Sequence, residues 1–319
     1  MTKLIKIENI TFASSPSSAS KALERGKELC QSLESSNILF FPNKSIEISK
    51  EDIEFLTSLK DLNASKHIFF KPQTSELINK DKLSIQELER LKDILRKFSK
   101  AAVEFVGKLL IPYSKNWHID LASFRPGNIE KIKTNTYERE DLLHTDAYPL
   151  RNKSGDRVLK FFININPEED REWITGDLFC DLISKFQHDE EFSCFCKKEE
   201  TLTGKLTKIM KTTANKIGLP FSLPSTYSEF MHKLHKFLKG NKEYQETSHK
   251  NLWKFPPNSS WLVFTDSLAH AVKSGQYALE QTFLIPRRAI LNPEKSPLCI
   301  LQRMTGENIS EKEYQEINS

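Results

Sequence analysis

The stretch Leu142-Leu143-His144-Thr145-Asp146-Ala147-Tyr148, read together with the distant run Ser267-Leu268-Ala269-His270-Ala271-Val272, decides how this chain is to be understood. Both runs are strand-like, and along an extended segment side chains alternate faces, so His144 and Asp146 project from the same side. One imidazole and one carboxylate side by side, joined by a second imidazole from another strand, make a 2-His-1-carboxylate set. Such a set fills three neighbouring positions on Fe(II) and leaves the opposite three open for co-substrate and oxygen. The pattern points to a non-haem iron oxygenase. Spacing does not single it out, because His118-Ile119-Asp120 repeats the interval in another strand-like run and leaves the choice between the two pairs open. The other histidines read as blander. His232 and His235 share a lysine-rich helical face and are expected to be solvated, and His188 sits among Asp189, Glu190 and Glu191. Cys194 and Cys196 are too close together for a standard zinc knuckle.

Outward from these runs, the texture is strands. Trp117 to Arg125 alternates loosely and is turned by Pro126-Gly127. Arg157 to Asn166 is the clearest strand, opened by Ser154-Gly155-Asp156 and ended by Pro167. Trp261 to Phe264 is a buried run, and a turn at Ser274-Gly275 leads into Tyr277 to Pro286. The N-terminal part reads as helices over Ser18 to Glu34 and Lys50 to Leu59, with a short strand between them at Ser36 to Pro42. Ser84-Ile85-Gln86-Glu87 is a capping-box signature that opens a long helix ending before Pro112. Trp173 to Lys250 reads as a polar, mostly helical insert carrying many lysines, Lys205, Lys208, Lys211 and Lys216 among them.

The expected fold is mainly β with α: an antiparallel sandwich or jelly roll (double-stranded β-helix) flanked by N-terminal helices and a helical insert. One domain is expected over 1–319, with 1–116 mostly helical, 117–172 and 251–301 forming the jelly-roll core, and 173–250 the insert. Strands far apart in sequence meet across the mouth of such a fold, so Asp146 and His270 can be neighbours.

The 319 residues carry 38% hydrophobic and 28% charged side chains, ordinary for a soluble globular protein. The N-terminus lacks an apolar signal region, and no run of about eighteen apolar residues suggests a membrane span. Five cysteines, odd in number and without framework spacing, fit a reducing, cytoplasmic setting. The formal net charge of +4 supports no claim of nucleic-acid binding.

Three longer segments add a resemblance. They are His144 to Pro149, Gly155 to Pro167, and Phe264-Thr265-Asp266-Ser267-Leu268-Ala269-His270-Ala271-Val272-Lys273-Ser274-Gly275-Gln276-Tyr277 continuing to Phe283. Together with Ser123-Phe124-Arg125-Pro126, they resemble the Kdo 3-hydroxylase family, Fe(II)/2-oxoglutarate dioxygenases built on a double-stranded β-helix. Those enzymes hydroxylate a 3-deoxy-manno-octulosonic acid (Kdo) sugar of the lipopolysaccharide inner core, giving the 3-hydroxylated sugar Ko. The resemblance implies His144, Asp146 and His270 as metal ligands, with Fe(II), 2-oxoglutarate and O2 as cofactors, and leaves His118 and Asp120 outside the set. It further implies an anionic glycolipid partner, a Kdo-containing lipid A precursor, and peripheral contact with the cytoplasmic face of the inner membrane.

The distal carboxylate of 2-oxoglutarate needs a fixed cation, ideally a bidentate arginine. Many enzymes of the wider superfamily place it at the start of the strand after the second histidine, where Gln276 stands here and supplies no charge. Arg157, Lys160 and Arg287 remain, with Arg157 preferred and Arg287 second. Asn164 and Asn166 share one face of an apolar strand, where a buried asparagine must satisfy several hydrogen bonds, so Asn164, like Gln276, is an expected co-substrate contact. Arg125 and Tyr148 are assigned to the sugar, with Arg151 and Lys153 on its approach. The competing readings are a dioxygenase of the same chemistry acting on another substrate and a non-catalytic jelly-roll sugar-binding module. A zinc hydrolase using the same three ligands is a weaker third.

Overall fold

The computed structural model describes residues 1–8, 16–59, 67–79, 83–127, 135–147, 155–190, 192 and 226–305. Tyr148, Arg151, Lys153, Cys194, Cys196 and the lysines from Lys205 to Lys216 lie outside the described residues. The N-terminal part runs β1 (Leu4–Lys6), α1 (Pro16–Glu34), β2 (Ile38–Phe41), α2 (Lys50–Ser58), β3 (Ile68–Lys71), β4 (Glu76–Ile78), α3 (Ile85–Leu109) and α4 (Ile111–Ser114). Then follow β5 (His118–Arg125), β6 (Arg157–Asn164), β7 (Arg171–Leu178), α5 (Phe179–Phe186), α6 (Thr226–Gly240) and α7 (Lys242–Thr247). The chain closes with β8 (Asn251–Phe255), β9 (Ser260–Phe264), β10 (Leu268–Ser274), β11 (Ala278–Ile285) and α8 (Pro297–Thr305).

This is a mixed α/β architecture of two facing sheets with helices outside them. The larger sheet has the order β1-β2-β9-β6-β11-β5-β3-β4 and the smaller β10-β7-β8. Alternation along the strands explains the layers. On β6, Leu159, Phe161 and Ile163 join the cluster beneath α1 and α3, whereas Phe162 turns the other way and meets Trp173 and Trp261 between the sheets. On β10, Ala269 and Ala271 face the cluster under α5, α6 and α8, while Leu268 and Val272 face inward. His270 shares that inward face. The capping box at α3 forms as its residues suggest: Ser84 caps the backbone of Glu87, and the Glu87 carboxylate returns to the Ser84 N–H at 2.8 Å.

Three expectations need correction. The run around His144 is not a strand; His144 and His270 form a single isolated bridge, exchanging N–H···O bonds of 3.0 and 2.8 Å. The next tie, Asp146 N–H to Thr265 O at 2.9 Å, reaches a different segment, so no ladder propagates. The insert also begins later than 173. Arg171, Trp173 and Thr175 are buried while Glu172 and Ile174 are half-buried, a period-two pattern, and β7 pairs with β10 and β8. The expected mostly helical N-terminal part contributes β1 to β4 to the larger sheet. Short strands of three or four residues give too little periodicity to register in the sequence.

Candidate metal centre

The inward face of β10 carries His270, and the bridge that joins it to His144 sets the two rings 4.6 Å apart between centroids. Asp146, two residues on, projects from the same side. Its carboxylate oxygens lie 4.0 Å from His144 Nε2 and 3.9 Å from His270 Nε2, and one ligand atom from each residue lies within 4.8 Å of the others. All three side chains are buried. His144 Nδ1 is 2.7 Å from the Leu142 carbonyl, so it carries the proton and leaves the Nε2 lone pair facing the other donors. Trp173 stacks on the His270 ring at 5.3 Å and 17°, which holds the imidazole plane. Among the described residues, the sequence alternative His118 and Asp120 lies on β5, with His118 exposed, and takes no part in this cluster.

The donor set suits a divalent metal. Burial lowers the pKa of His144, helped by the nearby Lys239 charge, and burial likewise lowers that of His270, so both imidazoles stay neutral. Burial alone would raise Asp146, but the Lys160 ammonium, with Nζ 2.7 Å from its Oδ2, holds it well below the usual carboxylate range. Two neutral nitrogens and one ionised oxygen converging within 4.8 Å are the ligand set of non-haem Fe(II).

Around this centre lies a ring of charge that the sequence reading largely missed. Lys160 also sits 3.2 Å from Glu280, Glu280 pairs with Arg125, and Arg125 lies 3.5 Å from Glu140. Glu140 in turn comes within 3.9 Å of His144 Nε2. His67 approaches Arg125 at 3.4 Å. His235, expected to be solvated, packs edge-on against His144 at 5.0 Å and approaches the Thr145 carbonyl through Nδ1 at 2.7 Å. The available signal was a charge inside an apolar strand: Lys160 in Arg157–Asn164 and Glu280 in Ala278–Ile285, both fully buried runs.

Several expected co-substrate contacts lie elsewhere. Arg157 has the opposite strand parity to Lys160 and is committed to Asp266 by bonds of 2.8 and 3.1 Å, with its guanidinium over Phe264. Asn164 donates to the carbonyls of Glu169 and Phe255 and accepts from Asn166 N–H, so it braces the end of β6 and the turn that follows. Arg287 is exposed in a 3-10 turn beyond β11. Gln276 is half-buried in the β10–β11 turn, past the end of the strand that carries His270. Arg125, expected on the sugar's approach, is buried on the inward face next to Glu280.

A family model described as 3-deoxy-D-manno-oct-2-ulosonic acid (Kdo) hydroxylase matches residues 17–308. The chain belongs to the Kdo hydroxylase family. Among solved structures, the Kdo hydroxylase KdoO, a non-heme Fe(II) alphaketoglutarate dependent dioxygenase, in complex with alphaketoglutarate and Fe(III), superposes with a TM-score of 0.79 at 27% identity. The match covers 97% of this chain and 98% of that one. KdoO with cobalt(II) matches at 27% identity and TM-score 0.79, and KdoO with succinate and Fe(III) at 26% and 0.78, each covering 97% of both chains. No curated protein matches the chain. The candidate metal centre lies on the inward face of the smaller sheet, and no helix among the described residues is long and apolar enough to cross a membrane.

Proposed function

We infer that this protein is an Fe(II)- and 2-oxoglutarate-dependent dioxygenase that hydroxylates the 3-position of a Kdo sugar in a lipid A precursor, giving Ko, succinate and carbon dioxide. The observation that carries the reading is the convergence of His144, Asp146 and His270 ligand atoms within 4.8 Å in a member of the Kdo hydroxylase family. KdoO, at 27% identity across nearly the whole chain, is the solved relative whose described chemistry supports it. On this reading the two sheets are those of a double-stranded β-helix. The working place is cytoplasmic, with peripheral contact at the inner membrane where the glycolipid resides.

His144, Asp146 and His270 would hold the iron, which with 2-oxoglutarate and oxygen supplies the oxidising power that inserts one oxygen atom into a C–H bond of the sugar. The chain's own contribution is preorganisation. The backbone carbonyl of Leu142 fixes the tautomer of His144, and Trp173 fixes the plane of His270. Lys160 keeps Asp146 ionised. The aromatic layer of Phe162, Trp173, Trp261 and Phe255 lies beside the centre and keeps water from that side.

Succinate release from 2-oxoglutarate by iron-loaded protein under air, with and without a Kdo-bearing lipid A precursor, tests the proposal. Succinate should rise with the glycolipid and vanish in His144→Ala. Turnover indifferent to the glycolipid would keep the chemistry and discard the sugar. Absence of turnover in iron-loaded protein would return the chain to the binding-module reading.

A further inference from the structure

Lys239, in the last turn of α6, is 3% exposed, and its Nζ makes one hydrogen bond, to the Tyr137 carbonyl at 3.0 Å. Among the described residues no carboxylate lies within 4.0 Å of that nitrogen. An ammonium has three donors, so two of them are left over once the carbonyl is served. Burial lowers the pKa of Lys239, and the charges of Glu140 and Asp146 act against that. Buried cations are ordinarily paired, and an exception of this kind marks a place where a ligand brings the missing negative charge.

α6 sets this cation beside the candidate metal centre. His235, one turn earlier on the same face of the helix, packs edge-on against the His144 ring at 5.0 Å. Its Nδ1 lies 2.7 Å from the Thr145 carbonyl, which ties the helix to the segment carrying His144 and Asp146. Lys239 is near enough to His144 for its charge to help depress the imidazole's pKa. The way in from solvent is marked by Glu140, whose carboxylate comes within 3.9 Å of His144 Nε2. That side chain is 28% exposed, whereas those of His144, Asp146 and His270 are at most 11% exposed. Arg125, 3.5 Å from Glu140, offsets its charge, and Glu140 does not reach ion-pair distance of Lys239, so the ammonium stays available to a ligand.

The chemistry of the sugar says what that ligand is. In Kdo the methylene carbon to be hydroxylated adjoins the anomeric carbon, and the anomeric carbon carries the sugar's carboxylate. A cation that fixes the carboxylate therefore fixes the reacting carbon two bonds away. We propose that the Lys239 ammonium receives the carboxylate of the Kdo sugar and so aims its methylene carbon at the metal centre. The inference rests on the proposed function and gives the recognition of the sugar to the segment between β7 and β8, outside the sheets. A compact ammonium suits the task, because it holds the Tyr137 carbonyl with one donor and offers the other two to the two carboxylate oxygens.

The test compares two substrates on the iron-loaded full-length protein: the Kdo-bearing lipid A precursor and the same glycolipid with its Kdo carboxyl as the methyl ester. The readout is kcat/KM for incorporation of labelled oxygen into the sugar. Wild-type protein should prefer the acid by about 10- to 100-fold, the scale of a charge-assisted contact. Lys239→Gln, which can still donate to the Tyr137 carbonyl but carries no charge, should lose most of that preference. Lys239→Arg should keep part of it. Each ratio is taken within one protein, so partial loss of fold cancels from it. A wild-type preference in the Gln variant overturns the proposal and leaves Lys239 as a brace for the Tyr137 carbonyl. A Gln variant that keeps the preference and instead raises the KM for 2-oxoglutarate overturns it in favour of the co-substrate. Wild-type protein that oxygenates acid and ester equally well overturns the inference while the proposed function stands. Wild-type protein that releases succinate but oxygenates neither overturns the proposed function, and this inference with it.

Discussion

The guanidinium of Arg157 donates to Asp266 from Nε at 2.8 Å and Nη2 at 3.1 Å, with both side chains almost fully buried. Arg157→Met would leave that carboxylate buried without its partner, and a loss of about 3–5 kcal/mol is expected in denaturant unfolding. The double variant Arg157→Met/Asp266→Leu should regain most of it, because two apolar groups replace the pair. A single variant of wild-type stability with lost keto-acid binding would instead return Arg157 to the co-substrate. His67 and His235 set a second expectation. Burial lowers His67 to about 3, aided by Arg125, and lowers His235 to about 4, aided by Lys239. Their unfolded values lie near 6.5, so between about pH 4 and 6.5 the unfolded chain binds more protons. Stability is therefore present above that window and lost as pH falls through it. The drop in Tm between pH 7 and pH 5 should shrink in His67→Asn, and an unaltered slope would contradict the assignment.

At the level of elements, the legible parts were those whose signal is local. The Ser84 and Glu87 cap announced α3, and Ser84→Ala should cost about 1 kcal/mol without touching the site. The buried runs of β6 and β11 were plain because five of the eight residues in each are apolar. β7 was hidden, because Arg-Glu-Trp-Ile-Thr-Gly-Asp-Leu places charge on both faces and reads as loop or helix. What makes it a strand is pairing with β10 and β8, about eighty to a hundred residues away. The turn that positions Arg171 gives a prediction of its own. Gly275 has φ +97°, and an added Cβ would sit 2.9 Å from both Arg171 Cα and Asp170 O. Gly275→Ala should cost about 1–3 kcal/mol, read by thermal unfolding. Wild-type stability in that variant would mean the turn is looser than described.

Across the whole molecule, the candidate triad was readable because two of its members share a short motif and the resemblance selected it over His118 and Asp120. The charges around it were not, since Lys160, Glu280, Arg125, Glu140 and Arg171 come from five segments and only the sheet packing shows them sharing one interior. In sequence Lys160 and Glu280 show only as charges inside apolar runs, and Glu140 and Arg171 look like ordinary surface charges. Four layers result: helices α1 to α4, the larger sheet, the smaller sheet, and helices α5, α6 and α8, with the candidate centre in the middle. The central claim is that this enclosed centre puts an oxygen atom onto Kdo. The most direct measurement is mass spectrometry of the Kdo sugar after reaction of iron-loaded protein with 2-oxoglutarate and the lipid A precursor under isotopically labelled O2. The expected product is the sugar heavier by one labelled oxygen atom, placed at the 3-position and absent with Asp146→Ala. An unmodified sugar alongside full succinate production would contradict the claim.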